Sequence, residues 1–98
     1  MFKFIRVKGS SLRPEVQDGD IVLILTWRRL WRLQPGDRVV FRQPVYGTLI
    51  KKIERLGPGP DQVFVVGIHA ASVDSYEFGP VLLSDIVGKV VFTARRKA

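Results

Sequence analysis

At 98 residues the chain has room for one domain, and its 46% hydrophobic and 26% charged residues are ordinary for a globular fold and argue against disorder. There is no cysteine, which excludes a disulfide framework, a thiol nucleophile and a thiolate metal site, and the single histidine cannot build a closed zinc site. The net charge of +7 favours anionic partners such as nucleic acid or a membrane surface, but it says nothing about fold.

Short apolar runs alternate with Gly, Pro and Asp punctuation at spacings of roughly 8–12 residues, which predicts an all-β domain. Residues 2–8 alternate and read as a first strand. Residues 12–16 form a possible helical turn. The turn Gln17-Asp18-Gly19-Asp20 leads into a buried strand over 21–26, and residues 27–33 form a second possible helical turn. Gln34-Pro35-Gly36-Asp37 signals a turn into a strand over 38–42, closed by Gln43-Pro44. A further strand over 48–56 ends at Gly57-Pro58-Gly59-Pro60. Two more follow over Gln62–Val66 and 86–93, and residues 94–98 make a basic tail. No stretch approaches the roughly 18–20 apolar residues of a membrane span, and charge interrupts the N-terminal residues too often for a secretory leader. The expectation is one soluble cytoplasmic domain over 1–98, peripheral at most to a membrane.

Three segments carry the chemistry. In Gly9-Ser10-Ser11-Leu12-Arg13-Pro14 a serine follows a strand in a Gly/Ser turn, where backbone N–H groups can meet a developing oxyanion. The same pattern also serves as a plain turn. A nucleophilic serine needs a base. His69, with Asp74 nearby in sequence, offers one. A lysine whose amine is held neutral by burial offers another. In Thr48-Leu49-Ile50-Lys51-Lys52-Ile53-Glu54, side chains alternate between faces, so Leu49, Lys51 and Ile53 share one face and Thr48, Ile50, Lys52 and Glu54 the other. Lys51 is thus the lysine with apolar neighbours, as general base or as a side chain snorkelling from a sheet edge. The third segment, Ser72-Val73-Asp74-Ser75-Tyr76-Glu77-Phe78-Gly79-Pro80, is dense in hydroxyls and carboxylates. It reads as a turn or as a shell that orients the base.

In this order the segments resemble the signal peptidase I family of Ser-Lys endopeptidases, over about Phe4 to Phe92. Ser10-Ser11-Leu12-Arg13-Pro14 with Asp18-Gly19-Asp20 resembles the nucleophile box, with Leu12 in place of the usual Met. Gly36-Asp37-Arg38-Val39-Val40-Phe41 resembles the G-D-V-V-V-F strand. Leu49-Ile50-Lys51-Lys52-Ile53 resembles Y-I-K-R-V. Ser72-Val73-Asp74-Ser75, with Ile86-Val87-Gly88-Lys89, resembles the S-x-D-S and I-V-G-K end. The resemblance implies a signal-peptidase or LexA-like β-fold, a coiled and partly open barrel with one or two short helical turns. It makes Ser11 the nucleophile and Lys51 its base. Ser10 and the Ser11 N–H would serve the oxyanion, Ser72 would orient the Lys51 amine and Asp74 would buttress that loop. Ile5, Val7 and Ile50 would line shallow pockets for a precursor bound as an extended strand. No cofactor or metal is implied.

Some positions depart from the pattern. Gly9 stands where some members place a serine that donates to the oxyanion. Tyr76 replaces the usual Arg, which removes a salt bridge to Asp74 and leaves a phenol hydrogen bond in its place. No anchor segment is present, so the chain looks most like the small soluble branch that resembles nickel-type superoxide dismutase maturation proteases. Its activity would be removal of an N-terminal propeptide. Trp27-Arg28-Arg29-Leu30-Trp31-Arg32-Leu33 reads as a helical turn with Trp27, Leu30 and Trp31 on one face, either packed on the sheet or resting weakly on an anionic membrane. A self-cleaving LexA-like domain would share the dyad, but the chain has no Ala-Gly pair and no helical domain before Met1. A non-enzymatic basic barrel binding nucleic acid would explain the charge, but recognisable nucleic-acid motifs are missing.

Overall fold

A computed structural model of the chain describes residues 1–6, 20–67 and 74–94. They form a seven-stranded sheet in the order β1-β2-β7-β3-β4-β5-β6. The strands are β1 (Phe2–Arg6), β2 (Ile21–Leu25), β3 (Arg38–Gln43), β4 (Gly47–Leu56), β5 (Gln62–Val66), β6 (Val81–Leu82) and β7 (Ile86–Ala94). A 3-10 turn at Arg28–Leu30, a one-turn helix α1 at Ser75–Phe78 and a 3-10 turn at Leu83–Asp85 complete it. Every neighbouring pair of strands is antiparallel. The all-β expectation holds, but the sheet is open and not a partly closed barrel: β1 and β6 are its two edges. Ala94, expected in the basic tail, belongs to β7.

Turn chemistry sets the central hairpin. The Gln43 side-chain oxygen accepts from the N–H groups of Val45 and Tyr46 at 2.6 and 2.7 Å. Gly47 then takes a φ of +81°, which a side chain would resist. The ladder places Val39 opposite Lys51 and Val40 opposite Ile50. At the other end of the hairpin, Gly36 N–H donates to Ile53 O and Ile53 N–H to Asp37 O, which continues the pairing into the preceding turn.

The central strands are apolar on both faces, because each face has its own core. One cluster joins Val22, Ile24, Val40 and Val90, with Ile5, Ile50 and Val87 packed against it. The other joins Val39, Phe41, Ile53, Val63, Val65, Val81 and Ile86, with Trp31, Leu33, Leu49, Phe78 and Leu83 against it. Strand β7 crosses the middle of the sheet and carries two irregularities. Val91 is an extra residue opposite Leu23/Ile24, and Val87 is extra opposite Val40/Phe41. Such bulges bend a strand and increase its local twist, which lets one strand serve both cores. A third bulge leaves Glu54 of β4 as the extra residue, so that Glu54 and Arg55 together oppose Phe64.

Segment 27–33 contains the expected turn, in a shorter and tighter form. Only Arg28–Leu30 forms a 3-10 turn, and the two tryptophans part company. Trp31 turns inward onto the second cluster and its indole N–H donates to Leu25 O at 2.6 Å, while Trp27 and Leu30 are exposed. The half-buried indole has found an acceptor on the backbone of β2, which fixes its side of the segment.

Candidate active site

Lys51 lies in the middle of β4 and is 1% exposed. It faces Val39 across the ladder and shares its face with Leu49 and Ile53, all three part of the second apolar cluster or packed on it. The alternation of β4 therefore buries this lysine and leaves Lys52 partly exposed on the other face. Snorkelling from an edge does not describe Lys51, because β4 is an interior strand and the side chain is covered. Burial lowers the pKa of its amine from the usual lysine value, because the charged form loses hydration; the nearby Asp74 carboxylate raises it by a smaller amount.

Asp74 reaches this position as the N-cap of α1. Its Oδ1 accepts from the Tyr76 N–H at 3.0 Å, and its backbone oxygen accepts from Glu77 and Phe78. A carboxylate at that place satisfies donors that the first helical turn leaves open. The next residue, Ser75, is buried, and its Oγ accepts from the Val65 N–H at 2.9 Å. This bond fills a position on β5 that the two-residue strand β6, paired only with Gln62 and Val63, leaves uncovered.

Helix α1 thereby straddles the free edge of β5. Phe78 packs on the second cluster, its ring 6.0 Å from that of Phe41. Tyr76 goes to the opposite face, where its ring meets Phe64 edge-on at 4.8 Å. Its phenol donates to the Glu54 carboxylate, with oxygens at 3.0 and 3.1 Å. The Tyr76 phenol thus bonds Glu54 and not Asp74, contrary to the sequence expectation; Asp74 is held by the Tyr76 backbone instead. The Arg55 guanidinium lies 3.9 Å from the Phe64 ring centre and pairs with Glu54 at 2.6 Å, which completes the patch.

Ile5 and Ile50, assigned to shallow pockets, pack against the same cluster and so border one surface. It is the face opposite the Lys51 side chain, since Ile50 and Lys51 are consecutive. Ser10, Ser11, Val7, Ser72 and His69, together with the turn expected over 12–16, lie outside the described residues. Among the described residues no group of His, Cys, Asp and Glu could hold a metal ion, and no helix is long and apolar enough to cross a membrane. Ser75 and Glu54 escaped the sequence reading as participants. Ser75 had a signal in the Asp74-Ser75 pair, whereas Glu54 acts through a bulge that no spacing rule announces. The chain matches no protein-family model and no curated protein.

Proposed function

We propose that this protein is a serine endopeptidase with a Ser11–Lys51 dyad, and that it removes an N-terminal propeptide or signal-type peptide from a precursor protein. One observation carries the reading: Lys51 is buried on the face of β4 that it shares with Leu49 and Ile53, the pKa of its amine is lowered by burial, and a carboxylate stands in electrostatic reach. A buried lysine is costly unless its amine is neutral or paired, and a neutral amine is a competent general base. The four-box resemblance supplies the partner serine.

In the mechanism this implies, neutral Lys51 accepts the Ser11 hydroxyl proton as the oxygen attacks the scissile carbonyl. The ammonium so formed returns the proton to the departing amine, and water then hydrolyses the acyl-enzyme with Lys51 again as base. Asp74 favours the transient ammonium, and the apolar cluster favours its loss. The soluble branch of the resemblance points to a precursor of nickel-type superoxide dismutase as the first substrate to try. Incubation with candidate precursors followed by mass spectrometry tests the proposal. Wild type should yield one new N-terminus, while Ser11→Ala and Lys51→Met, each checked for folding by circular dichroism, should yield none. Processing that persists in both variants would remove the dyad.

A further inference from the structure

We infer that Tyr76 and Glu54 are positioning residues: their hydrogen bond around the open edge of β5 fixes the turn that presents Asp74 to Lys51. The inference rests on the Ser-Lys reading for its catalytic meaning, but its geometry is independent of it.

Among the described residues the turn has few other supports. Strand β6 pairs with β5 only at Gln62 and Val63, so beyond that point the β5 edge has α1 as its cover. Helix α1 is four residues long and too short to be stable without tertiary contacts. Three anchors hold it: Ser75 Oγ on the edge of β5, Phe78 on one face of the sheet and Tyr76 on the other. The third adds a hydrogen bond between side chains, and the bulge makes it possible. Because Glu54 is the unpaired extra residue of β4, it and Arg55 both come to the Phe64 side, and the carboxylate meets the phenol there. The same residue that donates this phenol also donates its backbone N–H to Asp74 Oδ1. Displacing the Tyr76 side chain therefore displaces the donor that orients the Asp74 carboxylate. Charged groups around Lys51 are few among the described residues. Asp74 approaches from α1. Lys89 stands in the same cross-strand row, beyond Val39, with its ammonium 3.4 Å from Asp37. Lys52 lies on the other face of β4, and Glu54 is engaged by Arg55 and Tyr76.

The test is a direct titration of the Lys51 amine by NMR in lysine-labelled full-length protein, which needs no substrate. Asp74→Asn should lower the midpoint, because it removes the carboxylate that favours the ammonium. Tyr76→Phe keeps the ring on Phe64 and removes only the hydroxyl, and Glu54→Ala removes the acceptor. Both should lower the midpoint by less than Asp74→Asn does, and neither should lower it further when combined with that variant. Glu54→Gln, which still accepts a hydrogen bond, should restore most of the shift. The Tyr76 amide should exchange with solvent roughly fivefold faster in Tyr76→Phe, in keeping with loss of one exposed hydrogen bond. An unchanged midpoint in Tyr76→Phe and Glu54→Ala overturns the inference. So does a rise, which would mean that the turn matters only by keeping water off the amine. If the shifts occur and no precursor is ever cleaved, the positioning stands and the peptidase reading falls.

Discussion

Lys51 and Asp74, from strand β4 and the cap of α1, meet with opposed effects on one proton: burial of Lys51 disfavours the charge on its amine, and the Asp74 carboxylate favours it. Burial is the larger effect, so the amine loses its proton below the usual lysine range. If Ser11 and Lys51 form the proposed dyad, peptidase activity should therefore rise with pH through the folded pKa of Lys51. Asp74→Asn should move that rising limb to lower pH while reducing any benefit from the stabilised ammonium. Rates measured across neutral and alkaline pH check this, and a profile flat over the range would exclude Lys51 as base.

The same burial lowers stability. Between the folded and unfolded pKa values of Lys51 the unfolded chain binds more protons, so stability rises with pH across that window. Below it the full cost of burying an ammonium is present. Lys51→Met keeps the volume and removes the charge, and should stabilise the fold at neutral pH by about 1 kcal/mol. The gain over wild type should shrink as pH rises towards the unfolded value. Urea denaturation at several pH values measures it.

Ser75→Ala should cost about 1–2 kcal/mol, because it leaves the buried Val65 N–H without its acceptor. Asp74→Ala should cost about 1 kcal/mol through the lost helix cap, apart from any effect on Lys51. Thermal unfolding separates these from catalytic effects, since neither residue makes the proposed nucleophile or base.

Gly88→Ala should destabilise by about 1–3 kcal/mol. A Cβ on Gly88 would stand 2.8 Å from Ile24 Cδ1 and 2.9 Å from the Leu25 backbone oxygen, and the backbone atom cannot rotate aside. For a domain of this size that is a fall of roughly 4–8 °C in Tm per kcal/mol. A variant that melts with wild type would mean that β2 and β7 shift apart at little cost.

Of the six strands read from the sequence, Gln62–Val66 matches outright and four lie within one residue of their observed ends; the first, read over 2–8, is observed over Phe2–Arg6, and residues 7–8 lie outside the described ones. Apolar runs bounded by turn residues carry that information locally. Helix α1 and strand β6 do not, because each is a few residues long and exists through contacts with β5. Lys51 was legible for a local reason too: Leu49 and Ile53 flank it at strand spacing. Asp74 was legible only as one of several polar residues over 72–80 that could orient the base, and the resemblance gave it the loop and not the amine. Tyr76 shows the limit of that route. A phenol in place of a guanidinium left Asp74 as the obvious target, whereas the bulge at Glu54 supplied another. The parting of Trp27 and Trp31 was hidden for a similar reason, since a helical period assumes a helix that the segment forms for only three residues.

Two-sided cores have a further consequence for how the strands find their alignment. On β3, sliding by one position would exchange Val39 with Val40, both buried, but would also bring Arg42 into the place of the buried Phe41. On β4 the same slide would take Lys51 off the face it shares with Leu49 and Ile53 and away from Asp74. The residue assigned to chemistry doubles as the notch by which the hairpin is keyed.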